Sequence, residues 1–147
     1  MISAIDIFTM CTKSFCISPF LKRKKRGYLF TVGDEPPPPK LLQSHVKKFL
    51  GGGLEYDLDS ETLLKMASEQ WDIYHIIIEE GSYFRCNPNK ALRDWQKLLG
   101  QKAIRLKDHK DLSELIVSTI ALAEGEDLDD FTDNWSSKTA HTVRNAL

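Results

Sequence analysis

Carboxylates dominate the chemistry this chain could perform, and they fall in short groups: Asp34 with Glu35, then Glu79 and Glu80 beside Ser82, then Asp108. Each group follows a short apolar run, so each would stand at the end of a strand. Oxygen donors from several loops suit a hard cation such as Mg²⁺ or Ca²⁺, or Mn²⁺. The competing role for an acid after a strand is a solvated loop charge or a helix cap. Asp34 differs from the others because it lies between Gly33 and the run Pro36-Pro37-Pro38-Pro39. Prolines forbid both helix and ladder pairing, so that stretch is extended and stiff and fixes where Asp34 stands. The metal-ligand candidate is therefore Asp34, and the binding candidates are Asp34, Glu35, Glu79 and Ser82.

Catalytic constellations find little support, and the expectation is a protein that is not an enzyme. Gly51-Gly52-Gly53 follows a helical pattern and lacks the Lys-Ser/Thr of a phosphate loop. Ser82 follows Gly81 without the Gly-x-Ser-x-Gly frame of a nucleophile elbow, and Cys86 has no evident His partner. His75 sits inside an apolar run and reads as a hydrogen-bonded core histidine. The basic run Lys22-Arg23-Lys24-Lys25-Arg26 reads as a solvated turn before a strand, because no aromatic residues interleave it.

Bulk properties narrow the class. The 147 residues fit one domain, with 41% hydrophobic and 28% charged residues and a net charge of −1 from 20 basic and 21 acidic side chains. That balance gives no reason to expect nucleic-acid or anionic-membrane partners. No window reaches the ~18 apolar residues of a membrane span. The first residues, Met1-Ile2-Ser3-Ala4-Ile5-Asp6, lack the basic start of a signal peptide. Cys11, Cys16 and Cys86 are too scattered for a disulfide framework or a zinc site. They read as buried or idle thiols in a reducing compartment, and a cytoplasmic location is expected.

The elements that must hold these residues read as follows. A helix is expected over residues 3–15, ended by Pro19. Tyr28–Val32 is a short apolar run with no alternation, as in a strand covered on both faces. Residues 40–50 carry a helical stripe of Leu41, Leu42, His45, Val46, Phe49 and Leu50. Asp59 is an N-cap for a helix bearing Leu63, Leu64, Ala67 and Trp71. Ile73–Ile78 is the strongest strand. Asn89 can cap a helix with Leu92, Trp95, Leu98 and Leu99, closed by Gly100. Ala103–Leu106 is a third strand. Asp111 and Glu114 have capping-box spacing ahead of Leu112, Leu115, Ile116, Thr119 and Ile120. A weaker amphipathic tail surrounds Val143 and Leu147. Alternation of apolar strands with helices predicts an α/β fold with a parallel three-stranded Rossmann-like half-sheet and flanking helices. The expected organisation is an N-terminal helix and basic linker over 1–26, the α/β unit over 27–125 and a helical tail over 126–147.

The string Gly27-Tyr28-Leu29-Phe30-Thr31-Val32-Gly33-Asp34-Glu35-Pro36 resembles the fourth-strand segment of von Willebrand factor type A domains, more narrowly of a bacterial and phage group of them. The resemblance continues through Trp71–Ser82, Trp95–Gly100 and Leu112–Ile120. It implies a six-stranded Rossmann-like sheet, of which this chain would be the C-terminal half. It also implies a metal-ion-dependent adhesion site for Mg²⁺, built from Asp-x-Ser-x-Ser after the first strand, a middle-loop Thr and an Asp after the fourth strand. Asp34 matches the last of these. The other two have no counterpart, and Asp6-Ile7-Phe8-Thr9-Met10 has the wrong residues. The expectation is a truncated domain, a half completed by a separate chain, or a site that has lost its metal.

Three functions follow. The first is an interaction module whose Asp34 contributes to a cation bridging to a protein partner. The second is a metal-dependent phosphoester hydrolase using Asp34, Glu35 and Glu79. The third is a structural remnant that self-associates through an exposed sheet edge at Tyr28–Val32 or Ala103–Leu106.

Overall fold

A computed structural model describes residues 25–51, 54–129 and 135–147. The helix expected over 3–15, Cys11, Cys16 and most of the basic run lie outside the described residues. The chain is mixed α/β, with a parallel three-stranded sheet in the order β1-β4-β5 and helices flanking it. Strand β1 is Gly27–Gly33, β4 is Trp71–Ile78 and β5 is Ala103–Leu106. In β4 and β5, His75 lies opposite Ala103 and Ile78 opposite Leu106. Ile73, Ile76 and Ile77 are buried, which accounts for the largely apolar sequence of β4.

The described chain forms two compact units. One holds residues up to Thr31 together with Pro36–Ile73. Here β2 (Lys40–Leu41) pairs antiparallel with β3 (Leu58–Asp59), and helices α1 (Gln43–Leu50) and α2 (Ser60–Ser68) follow them. The core is Leu41, Val46, Leu58 and Leu63, with Leu54 and Met66 against it. The helix expected over 40–50 starts later because Lys40 and Leu41 are drawn into the ladder with Leu58 and Asp59. Its opening turn is held from a distance: Gln43 N–H donates to Asp57 Oδ1 at 2.9 Å. Asp59 caps α2 as expected, accepting from Thr62 N–H at 2.7 Å. Prolines donate nothing but still accept, and the Ser60 hydroxyl donates to the Pro38 carbonyl, tying down the polyproline run.

The other unit holds Val32–Glu35 and Tyr74–Leu147. It adds helices α3 (Ser82–Cys86), α4 (Pro88–Leu99), α5 (Leu112–Ala123) and α6 (Ser137–Ala146). Helix α6 packs on both α5 and β5. The buried side chains include Phe84, Ala91, Trp95, Ile104, Leu106, Leu115 and Val143. Two caps differ from expectation. Helix α4 opens at Pro88, whose fixed φ suits a first helical position, so the residue before it is Asn87 and not Asn89. Asp111 precedes α5 but makes no capping bond; its Oδ1 accepts from the Thr139 hydroxyl of α6 at 3.0 Å instead. Of the two states expected for the thiols, buried or idle, Cys86 is not buried: it is a free, exposed cysteine. Among the described residues no helix is long and apolar enough to cross a membrane.

Candidate functional site

Three loops leave the carboxyl ends of β1, β4 and β5, the edge at which open parallel sheets take ligands. The first is Gly33-Asp34-Glu35. Asp34 Oδ2 accepts the N–H of Tyr83 at 2.8 Å. Tyr83 is the second residue of α3, the position an N-cap side chain normally serves. The residue at the cap itself is Gly81, which has no side chain to offer. Asp34 thus supplies from a distance the cap that α3 lacks locally. The fit is tight, because a Cβ on Gly81 would collide with the Asp34 side chain. Glycine is required at 81 by this close approach, since its φ of −62° is open to any residue.

Glu35 is exposed, and its contribution is through the backbone: its carbonyl accepts from Trp95 Nε1–H at 2.8 Å. The Trp95 ring stacks on His75, with centroids 3.6 Å apart and planes 12° from parallel. Burial pushes the His75 imidazole down to about 3, so it is neutral at ordinary pH. His75 is a core histidine, as its apolar surroundings in the sequence imply.

The second loop, Glu79-Glu80-Gly81, separates its two acids. Glu79 Oε1 accepts from Arg105 Nε at 2.6 Å. Glu80 Oε2 meets His109 Nδ1 at 2.6 Å and accepts the His109 backbone N–H at 3.1 Å. These bonds to His109 hold the Glu80 carboxyl below its usual range. Ser82, the fourth binding candidate, is the exposed first residue of α3.

The third loop adds Asp108, bound to Lys138 Nζ of α6 at 2.9 Å and accepting the Lys110 N–H at 3.1 Å. The Lys138 bond is the main cause of the lowered Asp108 carboxyl and of the raised Lys138 ammonium. Glu80, Asp108 and His109 each place one ligand atom within 4.8 Å of the others, close enough to share a metal ion. Asp34 is not a member of that group. Within the group, Glu80 and His109 already bond each other, and Asp108 is neutralised by Lys138.

The fold therefore gathers Asp34 with Gly81, Ser82 and Tyr83, and separately gathers Glu80 with Asp108 and His109. Glu79 belongs with Arg105. Sequence reasoning missed Arg105, His109 and Lys138 as partners. The Asp108-His109 pair directly after a strand was a usable signal, whereas Lys138 lies 30 residues from Asp108 with nothing local to mark it. No family model matches the chain, and no curated protein or solved structure matches it either.

Proposed function

We propose that this chain is a protein-interaction module of the von Willebrand A type, with its partner-facing surface at the carboxyl edge of the sheet around Asp34. The observation that carries this reading is the fixed carboxylate: Asp34 stands at a strand end, held by the Tyr83 N–H and packed against Gly81. A carboxylate held this way presents its charge to a partner without losing side-chain freedom on binding, which favours affinity.

The cation enters this proposal in one form only. Mg²⁺ takes close to octahedral oxygen coordination, with about six ligands at ~2.1 Å. Asp34 offers one carboxylate, with one oxygen already on Tyr83. The Glu80, Asp108 and His109 group brings a nitrogen and two engaged carboxylates. Among the described residues these donors do not fit Mg²⁺ by themselves, so an ion at Asp34 would draw its remaining oxygens from the partner. The interaction reading does not depend on it.

Asp34→Asn is the informative change. The amide oxygen still accepts the Tyr83 N–H, so α3 keeps its cap, while the charge is lost. Affinity capture from a native lysate should return a partner that binds the wild type and not Asp34→Asn, with Lys65→Ala binding as the wild type does. A captured set identical for wild type and Asp34→Asn overturns the reading.

A further inference from the structure

We infer that the cleft between β5 and α6 is an anion site that takes a phosphate-monoester group. The cleft has a volume of about 260 Å³ and is lined chiefly by Glu79, Arg105 and Lys107 on the strand side and His141, Thr142 and Asn145 on the helix side. It is separate from Asp34, which does not line it.

The strand supplies the charge. Arg105 and Lys107 are two residues apart at the end of β5, so both side chains leave the same face, ~7 Å apart along the strand. Arg105 is exposed between the buried Ile104 and Leu106, which puts its guanidinium on the cleft side. Its Nε bonds Glu79 at 2.6 Å. Among the described residues its terminal amines bond nothing further, and Lys107 has no acidic partner. Glu79 is the positioning residue, because it holds one side of the guanidinium and leaves the outer fork aimed at solvent. The planar fork of arginine binds phosphate oxygens two at a time, and a neighbouring ammonium adds a point charge.

The helix supplies polar groups on the opposite wall. His141 and Asn145 are one turn apart on α6, and the Asn145 amide lies 3.0 Å from His141 Nδ1. The same amide nitrogen lies 3.2 Å from His141 Nε2, so it sits against the edge of the imidazole and holds the ring on the helix wall of the cleft. Thr142 is committed elsewhere, its hydroxyl donating to the Lys138 carbonyl at 3.0 Å. Two formal positive charges face one carboxylate, so the cleft carries excess positive charge in a chain whose net charge is −1. Glu79 already offsets one of the two cations, so the distinction from a carboxylate ligand lies in geometry: a phosphate presents three oxygens, enough to meet the Arg105 fork and the Lys107 ammonium together.

The test uses the whole chain and follows amide shifts by NMR at low salt. The probes are inorganic phosphate, O-phosphoserine and acetate. Saturable shifts of the Arg105, Lys107, His141 and Asn145 amides with phosphate and O-phosphoserine are expected, with acetate at least about tenfold weaker. Tighter binding of O-phosphoserine than of inorganic phosphate would assign the group to a phosphorylated side chain, and the reverse to free phosphate. Lys107→Ala should weaken phosphate binding about tenfold, and Arg105→Gln similarly. Lys107 contacts no acid, so its removal leaves the fold intact even if loss of Arg105 exposes Glu79 and destabilises the sheet edge. Lys47→Ala/Lys65→Ala removes two exposed cations from elsewhere and should leave the affinity unchanged. Absence of saturable shifts in the wild type, equal binding of acetate, or equal loss in Lys47→Ala/Lys65→Ala each overturns the proposal.

Discussion

At the scale of the residue, His75 converts burial into a pH response. Its imidazole is stacked on Trp95 and pushed down to about 3 by desolvation, against 6.5 for an exposed histidine. As pH falls below 6.5 the unfolded chain takes a proton at this site while the folded chain does not until about 3. Stability from this group is therefore full above that range and falls through it, by at most about 1.4 kcal/mol per pH unit. Urea midpoints should drop between about pH 7.5 and about pH 5, and His75→Phe, which keeps a ring against Trp95, should flatten that slope. An unchanged slope in His75→Phe would place the pH response elsewhere. The residue's burial was legible, because an apolar run on both sides leaves a histidine nowhere wet to go. The role of Asp34 was legible only in part. Its position at a strand end could be read, but its partner is a backbone N–H 49 residues away, and a backbone donor has no residue type to recognise.

At the scale of the element, the helix that reads most weakly makes close contacts. Helix α6 has Val143 fully buried and Ala140 nearly so, and it carries Lys138 to Asp108 and Thr139 to Asp111. Truncating Val143 to Ala removes two methyl groups from a packed site. It should cost about 2 kcal/mol, read as a lower urea midpoint at unchanged slope. An effect below about 0.5 kcal/mol would mean that α6 contributes little to the folded state. Sequence pattern underrated α6 because Ala140 and Val143 are its only buried residues, too few to make a stripe. The same limit explains the late start of α1, since a two-residue ladder between Lys40–Leu41 and Leu58–Asp59 has no period to detect. Strands β1 and β4 were readable because a nearly continuous apolar run of five or six residues admits few alternatives, and β5 followed from the short run Ala103–Leu106 between two helical patterns.

At the scale of the whole molecule, a sheet of three strands leaves β1 and β5 outermost among the described residues. Helix α6 packs on β5, whereas β1 carries Val32 at 42% exposure. An outer strand with an exposed apolar side chain is a template for a further strand. Sedimentation velocity should therefore find a boundary that moves faster as concentration rises, and Val32→Lys should return it to the monomer. A concentration-independent monomer would exclude this mode of assembly. The Asp34–Gly81 contact has a consequence on the longer clock of evolution. Neither position can drift freely: a side chain at 81 strikes the one at 34, and loss of the side-chain acceptor at 34 uncaps α3. Among descendants of this sequence the two should substitute as a pair, a Ser, Asn or Asp arriving at 81 to cap its own helix only where position 34 has shrunk.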